Sequence, residues 1–313
     1  MARPTPPFPL SPALLEAYRV HARRRLPAGQ VGGHLRRQQG QSLEFREHRQ
    51  YLPGDDFRHI DWRASARLGP AAPPLVRTFA AEQRVTVAVS IDTRATMRLP
   101  DQGRKLDVAL WLARAVATVA LASGDRVLLH RLFGDGDALE EVTGRGLPRR
   151  ALDFLERAAT GPADETFNGA SMQSRLPPTS VWIVVSDFYF EDADGRWRDL
   201  LARAQEGARW VILVELDSWP AERALLTGGP TLVDGPGLPA GPLRRDLDEN
   251  QAAAVAERLE AHTAALWRPV RRGGLDHVPW RWPAAPMADG GAAYFVERFT
   301  RDLTLARLFA RRA

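Results

Sequence analysis

Two aspartates close apolar runs of strand length. Val85–Ile91 leads into Asp92, and Val181–Ser186 leads into Asp187. In an open parallel sheet the binding crevice lies beyond the carboxyl ends of the strands, where the strand order reverses. If these two strands are neighbours there, both carboxylates meet in one crevice. The plainer alternative is that each aspartate caps the helix that follows it. The first aspartate opens the segment Asp92-Thr93-Arg94-Ala95-Thr96-Met97. Carboxylates and hydroxyls are ligands that magnesium accepts in octahedral geometry. Arg94 is of another kind, because a guanidinium has no acceptor and keeps its charge. Placed among Asp92 and Asp187 it could satisfy both carboxylates itself and would repel a divalent cation. The alternative is that it points to solvent. The expectation is a site with no metal and no cofactor.

A second charged group lies upstream. Asp55, Asp56, Arg58, Asp61, Arg63 and Arg67 can cross-pair, while Tyr51, Ile60 and Trp62 would anchor the segment to a core. Pro53-Gly54 marks a turn. The group reads as a brace that holds an N-terminal module on the sheet, or else as a docking surface. Ser90, Ser186 and the seven histidines form no Gly-x-Ser-x-Gly elbow and no paired-histidine metal motif.

The elements that must position these residues alternate. After the first aspartate strand, Arg104–Ser123 reads as a helix apolar nearly all round, with a polar strip of Asp107, Arg114 and Thr118. Arg126–Phe133 is the next strand and Arg149–Ala159 a helix. A loop is expected over 160–178, then the second aspartate strand. A helix over 197–206, a third apolar strand over 210–216 and a short strand over 231–233 follow. Glu249–Arg268 is an amphipathic helix, 275–282 a final strand, and Ala292–Arg311 a C-terminal helix. Before all of these, residues 1–12 read as a disordered leader, 14–26 as a short basic helix, and 43–51 and 75–79 as extended chain. Strands alternating with helices predict an α/β fold, doubly wound around a mostly parallel central sheet. The expected organisation is an N-terminal extension over 1–80, the sheet domain over 81–285 and a helical tail over 286–313.

Composition sets the limits. The chain has 313 residues, 44% hydrophobic and 26% charged, which is ordinary globular usage. Cysteine is absent, so disulfides, thiolate metal sites and cysteine nucleophiles are excluded. Lys105 is the only lysine among 43 basic residues. Residues 1–80 hold 13 Arg against 6 Asp or Glu, a charge of +7, and the remainder holds 30 basic against 32 acidic residues, a charge of −2. The basic character therefore belongs to the N-terminal segment, including Arg19, Arg23, Arg24, Arg25, Arg36 and Arg37. The start has no apolar signal region, and the longest apolar run, Val108–Ala122, is interrupted by Arg114 and is too short to span a bilayer. A soluble cytoplasmic protein is expected.

Two resemblances sharpen this. The von Willebrand factor A domain places Asp-x-Ser-x-Ser after its first strand, and a later loop Thr and a late Asp complete a metal-ion-dependent adhesion site. Asp92, Thr96 and Asp187 match the first Asp, the last Ser and the late Asp. Arg94 departs at the middle Ser, and Thr166 is the candidate for the loop Thr. Upstream, Glu44, Phe45, Arg49, Tyr51, Pro53, Gly54, Asp55, Asp56, Arg58, Ile60, Asp61, Trp62, Ala64, Ser65, Ala66 and Arg67 match a hallmark of the bacterial family called domain of unknown function 58. This likeness covers roughly residues 30–285. It implies a von Willebrand factor A-like fold with a degenerate adhesion site and a partnership with a MoxR-type AAA+ ATPase, as a non-catalytic, chaperone-like adaptor. Many members of the family carry membrane helices, which are not evident here.

On this reading Arg94 could pair with a partner's carboxylate, and the basic N-terminal segment would steer association. Nucleic-acid binding through that segment is an alternative, since phosphates need clustered positive charge. A hydrolase resembling haloacid dehalogenases is a further alternative. Those enzymes need Asp-x-Asp-x-Thr, and Arg94 stands where the second acid would donate a proton.

Overall fold

Runs of valine, isoleucine and leucine without polar alternation are satisfied only where both faces of a strand are covered. In the computed structural model the chain follows that rule. The described residues are 6–20, 43–53, 55–69, 72–81, 85–100, 103–134, 138–177, 180–206, 209–226, 231–233, 243–245, 248–272, 275–302 and 309–311. In chain order the elements are helix α1 (Pro12–Glu16), strands β1 (Tyr18–Val20) and β2 (Leu43–Gln50), helix α2 (Trp62–Ala66), strands β3 (Leu75–Ala81) and β4 (Thr86–Ile91), helix α3 (Lys105–Ala122), strands β5 (Arg126–Arg131) and β6 (Leu139–Val142), helices α4 (Arg149–Thr160) and α5 (Gly169–Gln173), strand β7 (Val181–Ser186), helix α6 (Arg196–Glu206), strand β8 (Trp210–Asp217), helix α7 (Trp219–Leu226), strands β9 (Thr231–Val233) and β10 (Leu243–Arg245), helix α8 (Glu249–Arg272), strand β11 (Asp276–Arg281), helix α9 (Ala292–Arg301) and strand β12 (Phe309–Arg311).

Two compact units result, residues 1–29 with 85–313 and residues 30–84. The larger is built on a six-stranded sheet of order β11-β8-β7-β4-β5-β6, parallel except for the edge strand β6. The mixed α/β class and mostly parallel sheet expected from the sequence are therefore present. Strand alternation divides the core. Val87, Val89 and Ile91 face one cluster with α3 and α4, whereas Ala88, Trp182 and Val184 face a second with α6 and α8. Helix α3 is buried along almost its whole length, as its all-round apolar sequence requires. In the smaller unit β2 and β3 pair antiparallel.

The chain ends depart from expectation. Residues from Pro6 onward do not form a disordered leader. Leu10 and Leu15 are buried in the core, Phe8 packs against it under the Arg114 guanidinium, and Trp111 donates to the Pro6 carbonyl at 3.4 Å. Apolar side chains decide this, although the segment is proline-rich. The basic helix over 14–26 is limited to α1, and β1 follows; residues 21–26 lie outside the described residues. Helix α9 stops at Arg301, because the chain beyond it supplies β12, which pairs antiparallel with β1. Partners some 290 residues apart along the chain (Tyr18 and Arg311) leave no local signal.

His130, next to last in β5, lies in a directional hydrogen-bond chain. Trp182 Nε1–H donates to Ser90 Oγ at 2.8 Å, and Ser90 Oγ lies 2.9 Å from His130 Nδ1. On the other side His130 Nε2 lies 3.0 Å from Ser171 Oγ, which donates to the Asn168 carbonyl at 2.9 Å. Each hydroxyl has one proton, so Nδ1 accepts, Nε2 donates, and the imidazole is neutral. Burial lowers its pKa from the ordinary 6.5 to about 4. Between those values the unfolded chain binds a proton that the folded one refuses, so stability present above pH 6.5 is lost as pH falls toward 4. The full loss is about 3 kcal/mol. Urea unfolding across that window should show this acid decline in the wild type and a shallower one in His130→Gln. Parallel declines would overturn the assignment.

Candidate functional site

The two aspartate strands are immediate neighbours. Strands β4 and β7 pair in parallel with Ile91 opposite Val185, and the Asp92 N–H continues the ladder to the Val185 carbonyl at 2.9 Å. Strand β5, next after β4 in the chain, lies on its other side, so the strand order reverses at β4. Both aspartates thus stand at the carboxyl edge where such folds place their crevices.

Two cations fill the space between them. Arg94 Nη2 is 2.7 Å from Asp92 Oδ2 and 3.0 Å from Asp187 Oδ1. Its Nε adds contacts to both Asp92 oxygens at 3.1 and 3.2 Å, and its backbone N–H donates to Asp92 Oδ1 at 3.0 Å. Ser186 Oγ donates to Asp92 Oδ2 at 2.6 Å. Every one of these contacts to Asp92 comes from a donor, which is the environment of an ionised carboxylate. Lys105, at the first turn of α3, places Nζ 3.0 Å from Asp187 Oδ2 and 2.9 Å from Glu222 Oε1. The side chains of Asp92, Asp187 and Lys105 are 0% exposed, and that of Arg94 is 3% exposed.

Aromatic groups seal the cluster. The rings of Phe133 and Phe190 lie 4.6 and 5.1 Å from the Arg94 guanidinium carbon, and the Tyr189 ring lies 4.8 Å from Lys105 Nζ. The Tyr189 N–H donates to Asp187 Oδ1 at 3.0 Å, and its carbonyl accepts from Arg94 Nη1 at 3.2 Å. Between Asp187 and Tyr189 the chain turns through Phe188 at φ 57°, a conformation uncommon for an aromatic residue. The Phe188 N–H is held by Ser186 Oγ at 2.8 Å.

Burial governs the protonation of each group, and its neighbours decide the outcome. For Asp92 burial dominates and pushes the carboxyl above its ordinary range, with Arg94 opposing. Burial works the same way on Asp187, but Lys105 and Arg94 outweigh it and hold that carboxyl below the ordinary range. Burial also opposes the charge on Lys105, yet Asp187 and Glu222 prevail and its pKa rises.

The expected loop ligand, Thr166, does not join the site. It is exposed, while its neighbour Glu165 reaches within 3.7 Å of Arg94 Nη1. Side-chain alternation explains the difference. Phe167 bridges antiparallel to Phe133, so 165 and 167 share the face toward Arg94 and 166 points away. Thr96 Oγ1 is buried with no hydrogen-bond partner among the described residues. That orphaned hydroxyl is a mark favouring an ion at this position. Two cations within 3.0 Å of the carboxylates outweigh it, so the residues do not fit a divalent metal. Sequence reasoning missed Lys105, Glu222, Ser186 and Glu165. The signal available for Lys105 was its being the only lysine in an arginine-rich chain.

The hallmark residues of the smaller unit serve mostly as local ties. Asp55 accepts both Arg49 guanidinium nitrogens at 2.8 and 2.5 Å and the Leu52 N–H at 2.9 Å, which closes the turn after β2. Asp56 accepts the Arg58 N–H at 3.0 Å, and Asp61 caps α2 through the Ala64 N–H at 3.0 Å. Asp61 also meets Arg77 at 2.8 Å and His48 at 3.0 Å, and Arg77 above all holds its carboxyl well below the ordinary range. The Tyr51 N–H donates to the Pro74 carbonyl at 2.7 Å; Pro53 is exposed, and Gly54 lies outside the described residues. Asp55 is thus paired with Arg49 and Asp61 with Arg77, and Arg58, Arg63 and Arg67 are exposed. Nor does Trp62 anchor to a core, since it is 67% exposed. Ser65 fixes the orientation of α2, donating to the Asp61 carbonyl at 2.7 Å and accepting the Leu75 N–H at 2.8 Å, which leaves Trp62, Arg63, Ala66 and Arg67 outward.

Comparison with known proteins supplies relatives. The family described as Protein of unknown function DUF58 matches residues 47–238, more than half of the chain. Uncharacterized protein Rv1480 of Mycobacterium tuberculosis and Uncharacterized protein Mb1516 of Mycobacterium bovis are each 29% identical over 154 residues, covering 48% of this chain and 46% of the relative. The chain spans about half the length of the curated relatives it matches. A crystal structure from Vibrio fischeri, described as an uncharacterized membrane spanning protein, is similar at 16% identity over 70% of this chain and 100% of that one, with a TM-score of 0.20. The cytoplasmic expectation is withdrawn, and no compartment is assigned to this chain. Among the described residues no helix is long and apolar enough to cross a membrane.

Removing Arg94 leaves the buried Asp92 without a cation, and removing Lys105 leaves Asp92 and Asp187 to share Arg94 alone; breaking buried pairs of this kind typically costs about 3–5 kcal/mol. Arg94→Met and Lys105→Met should each lower stability to urea by that order. Asp92→Asn combined with Arg94→Met should lose less than the two single changes together, because the partners are coupled. Millimolar magnesium should leave the wild-type unfolding midpoint unchanged. A magnesium-dependent rise would overturn the reading of this site.

Proposed function

We propose that this chain, which belongs to the family described as Protein of unknown function DUF58, is a non-catalytic protein-binding adaptor. Its larger unit is read as a von Willebrand factor A-like domain whose metal-ion-dependent adhesion site has been taken over by internal cations. One observation carries this: Arg94 and Lys105 neutralise Asp92 and Asp187 out of contact with solvent. A general base needs a carboxylate within hydrogen-bond reach of a substrate proton, and a nucleophile needs access. Neither aspartate offers that, which weighs against hydrolysis at this edge. Arg94 is enclosed as well, so the docking contact expected of it with a partner carboxylate is reassigned to other surfaces.

The partner proposed is a MoxR-type AAA+ ATPase, on the strength of the family resemblance. The test is binding of the purified chain to the MoxR-type ATPase of the same genome, without nucleotide, with ADP and with a slowly hydrolysed ATP analogue. Saturable binding is expected in at least one state, with no phosphate released from a generic phosphate ester. Absence of binding in every state rejects that partner. Phosphate release that is lost in Asp92→Asn rejects the non-catalytic reading.

A further inference from the structure

Exposed apolar side chains are concentrated in one short stretch. Leu52, Phe57, Trp62 and Leu68 are 61%, 68%, 67% and 54% exposed; elsewhere among the described residues only Leu99 and Val255 are large apolar residues in this class. Scattered singly, such residues need no explanation, but clustering marks interaction sites. Trp62 stands on the rim of a depression of about 390 Å³, which Arg58, Ile60, Asp61, Arg63 and Arg77 also line.

The charge of that depression is one-sided. The Asp61 carboxylate is already occupied by Arg77, His48 and the Ala64 N–H. Arg58 and Arg63 are exposed and form no ion pair among the described residues, and the same holds for Arg67, which follows α2. Two guanidinium groups without an ion pair among the described residues, Arg58 and Arg63, therefore line the depression beside Arg77, which is already paired with Asp61. The complementary occupant carries carboxylates and at least one apolar side chain. Tryptophan and arginine together are also the residue types that dominate protein interfaces.

We propose that this face of the smaller unit docks an acidic segment of a partner protein. Its apolar anchor would lie against Trp62, and its carboxylates would pair with Arg58 and Arg63. A guanidinium offers a carboxylate two parallel donors, which sets orientation as well as attraction. A nucleic-acid backbone fits less well, because the exposed Leu52, Phe57 and Leu68 on the same segment call for apolar side chains, which a phosphate backbone does not carry. The proposal rests on the adaptor reading in taking a protein as occupant, but it does not require the ATPase.

The test uses the full chain against an array of short synthetic peptides in which Asp and Glu are interleaved with Phe, Trp or Leu. Control arrays carry Lys and Arg in place of the acids, or Ala in place of the apolar residues. A uridine homopolymer and phosphatidylglycerol vesicles are tested alongside. Acidic-apolar peptides alone should bind. Trp62→Ala should weaken them by more than about tenfold, and Arg58→Ala with Arg63→Ala should slow association and flatten its salt dependence. These exposed substitutions should leave the urea midpoint unchanged, which confirms the variants are folded. The proposal falls if acidic peptides bind no better than their charge-reversed or alanine controls, if Trp62→Ala binds as wild type does, or if RNA or vesicles are the ligands lost in that variant. If the peptides fail while the ATPase still binds, the adaptor reading stands and this surface is wrong. If the peptides bind and the ATPase does not, the surface stands and its partner is another protein.

Discussion

Two carboxylates buried side by side at the end of a sheet would repel each other and be driven to take up protons. The structure supplies two positive charges among them instead, and much else follows from this. Strands β4 and β7 have to be neighbours in parallel so that Asp92 and Asp187 meet. Helix α3 has to begin at the same edge so that Lys105 reaches Asp187. Lys105 occupies the first turn of that helix, where the backbone dipole disfavours a cation. That the charge stands there at all shows how strongly Asp187 and Glu222 hold it. The neighbouring Arg104 is in turn balanced by Asp107, three residues on, at 2.8 Å. The carboxyl edge is an electrostatic unit assembled from β4, β7, α3 and α7.

The two cations are not interchangeable. Arg94 is planar and forked, and it serves Asp92, Asp187 and the Tyr189 carbonyl from one rigid group. Lys105 is a compact charge that reaches two carboxylates and the face of a tyrosine ring. A bound ion at such an edge can exchange and can share its ligands with a partner. Covalently attached cations cannot leave, and the rings of Phe133 and Phe190 shield Arg94 from solvent. The arrangement therefore favours permanence over exchange, and shifts any recognition to residues that remain accessible.

The sequence revealed the strands of this site better than its full membership. Apolar runs ending at Asp92 and Asp187 were enough to expect neighbouring parallel strands, because doubly covered strands have a distinctive composition. Arg94 was legible from its place two residues after Asp92. Lys105 and Glu222 were not, since their contacts join helices far apart in the chain and no local motif marks them. Thr166 shows a different difficulty. The correct loop was in view, but a shift of one residue along extended chain reverses which side chain lies on the Arg94 side, and Glu165 is the one that does. The edge strand β6 and the pairing of β1 with β12 were missed, as each is short and depends on distant partners.

Trp62 was misjudged for a reason that bears on function. Aromatic residues inside a charged motif are ordinarily read as anchors, because apolar burial is the default expectation. Here the hydrogen bonds of Asp61 and Ser65 set the face of α2, and the tryptophan is left outside. The larger unit shows the converse, with two carboxyl groups and two basic side chains enclosed at a sheet edge. Both are inversions of the usual partition, and both are held by polar contacts that outweigh the preference of a single side chain. An inversion that encloses charge makes a rigid joint, whereas one that exposes an aromatic leaves a surface to be covered. The first suits a scaffold and the second suits its binding face, which is why the chemistry of the strand-end aspartates and the recognition of a partner are best assigned to different units of this chain.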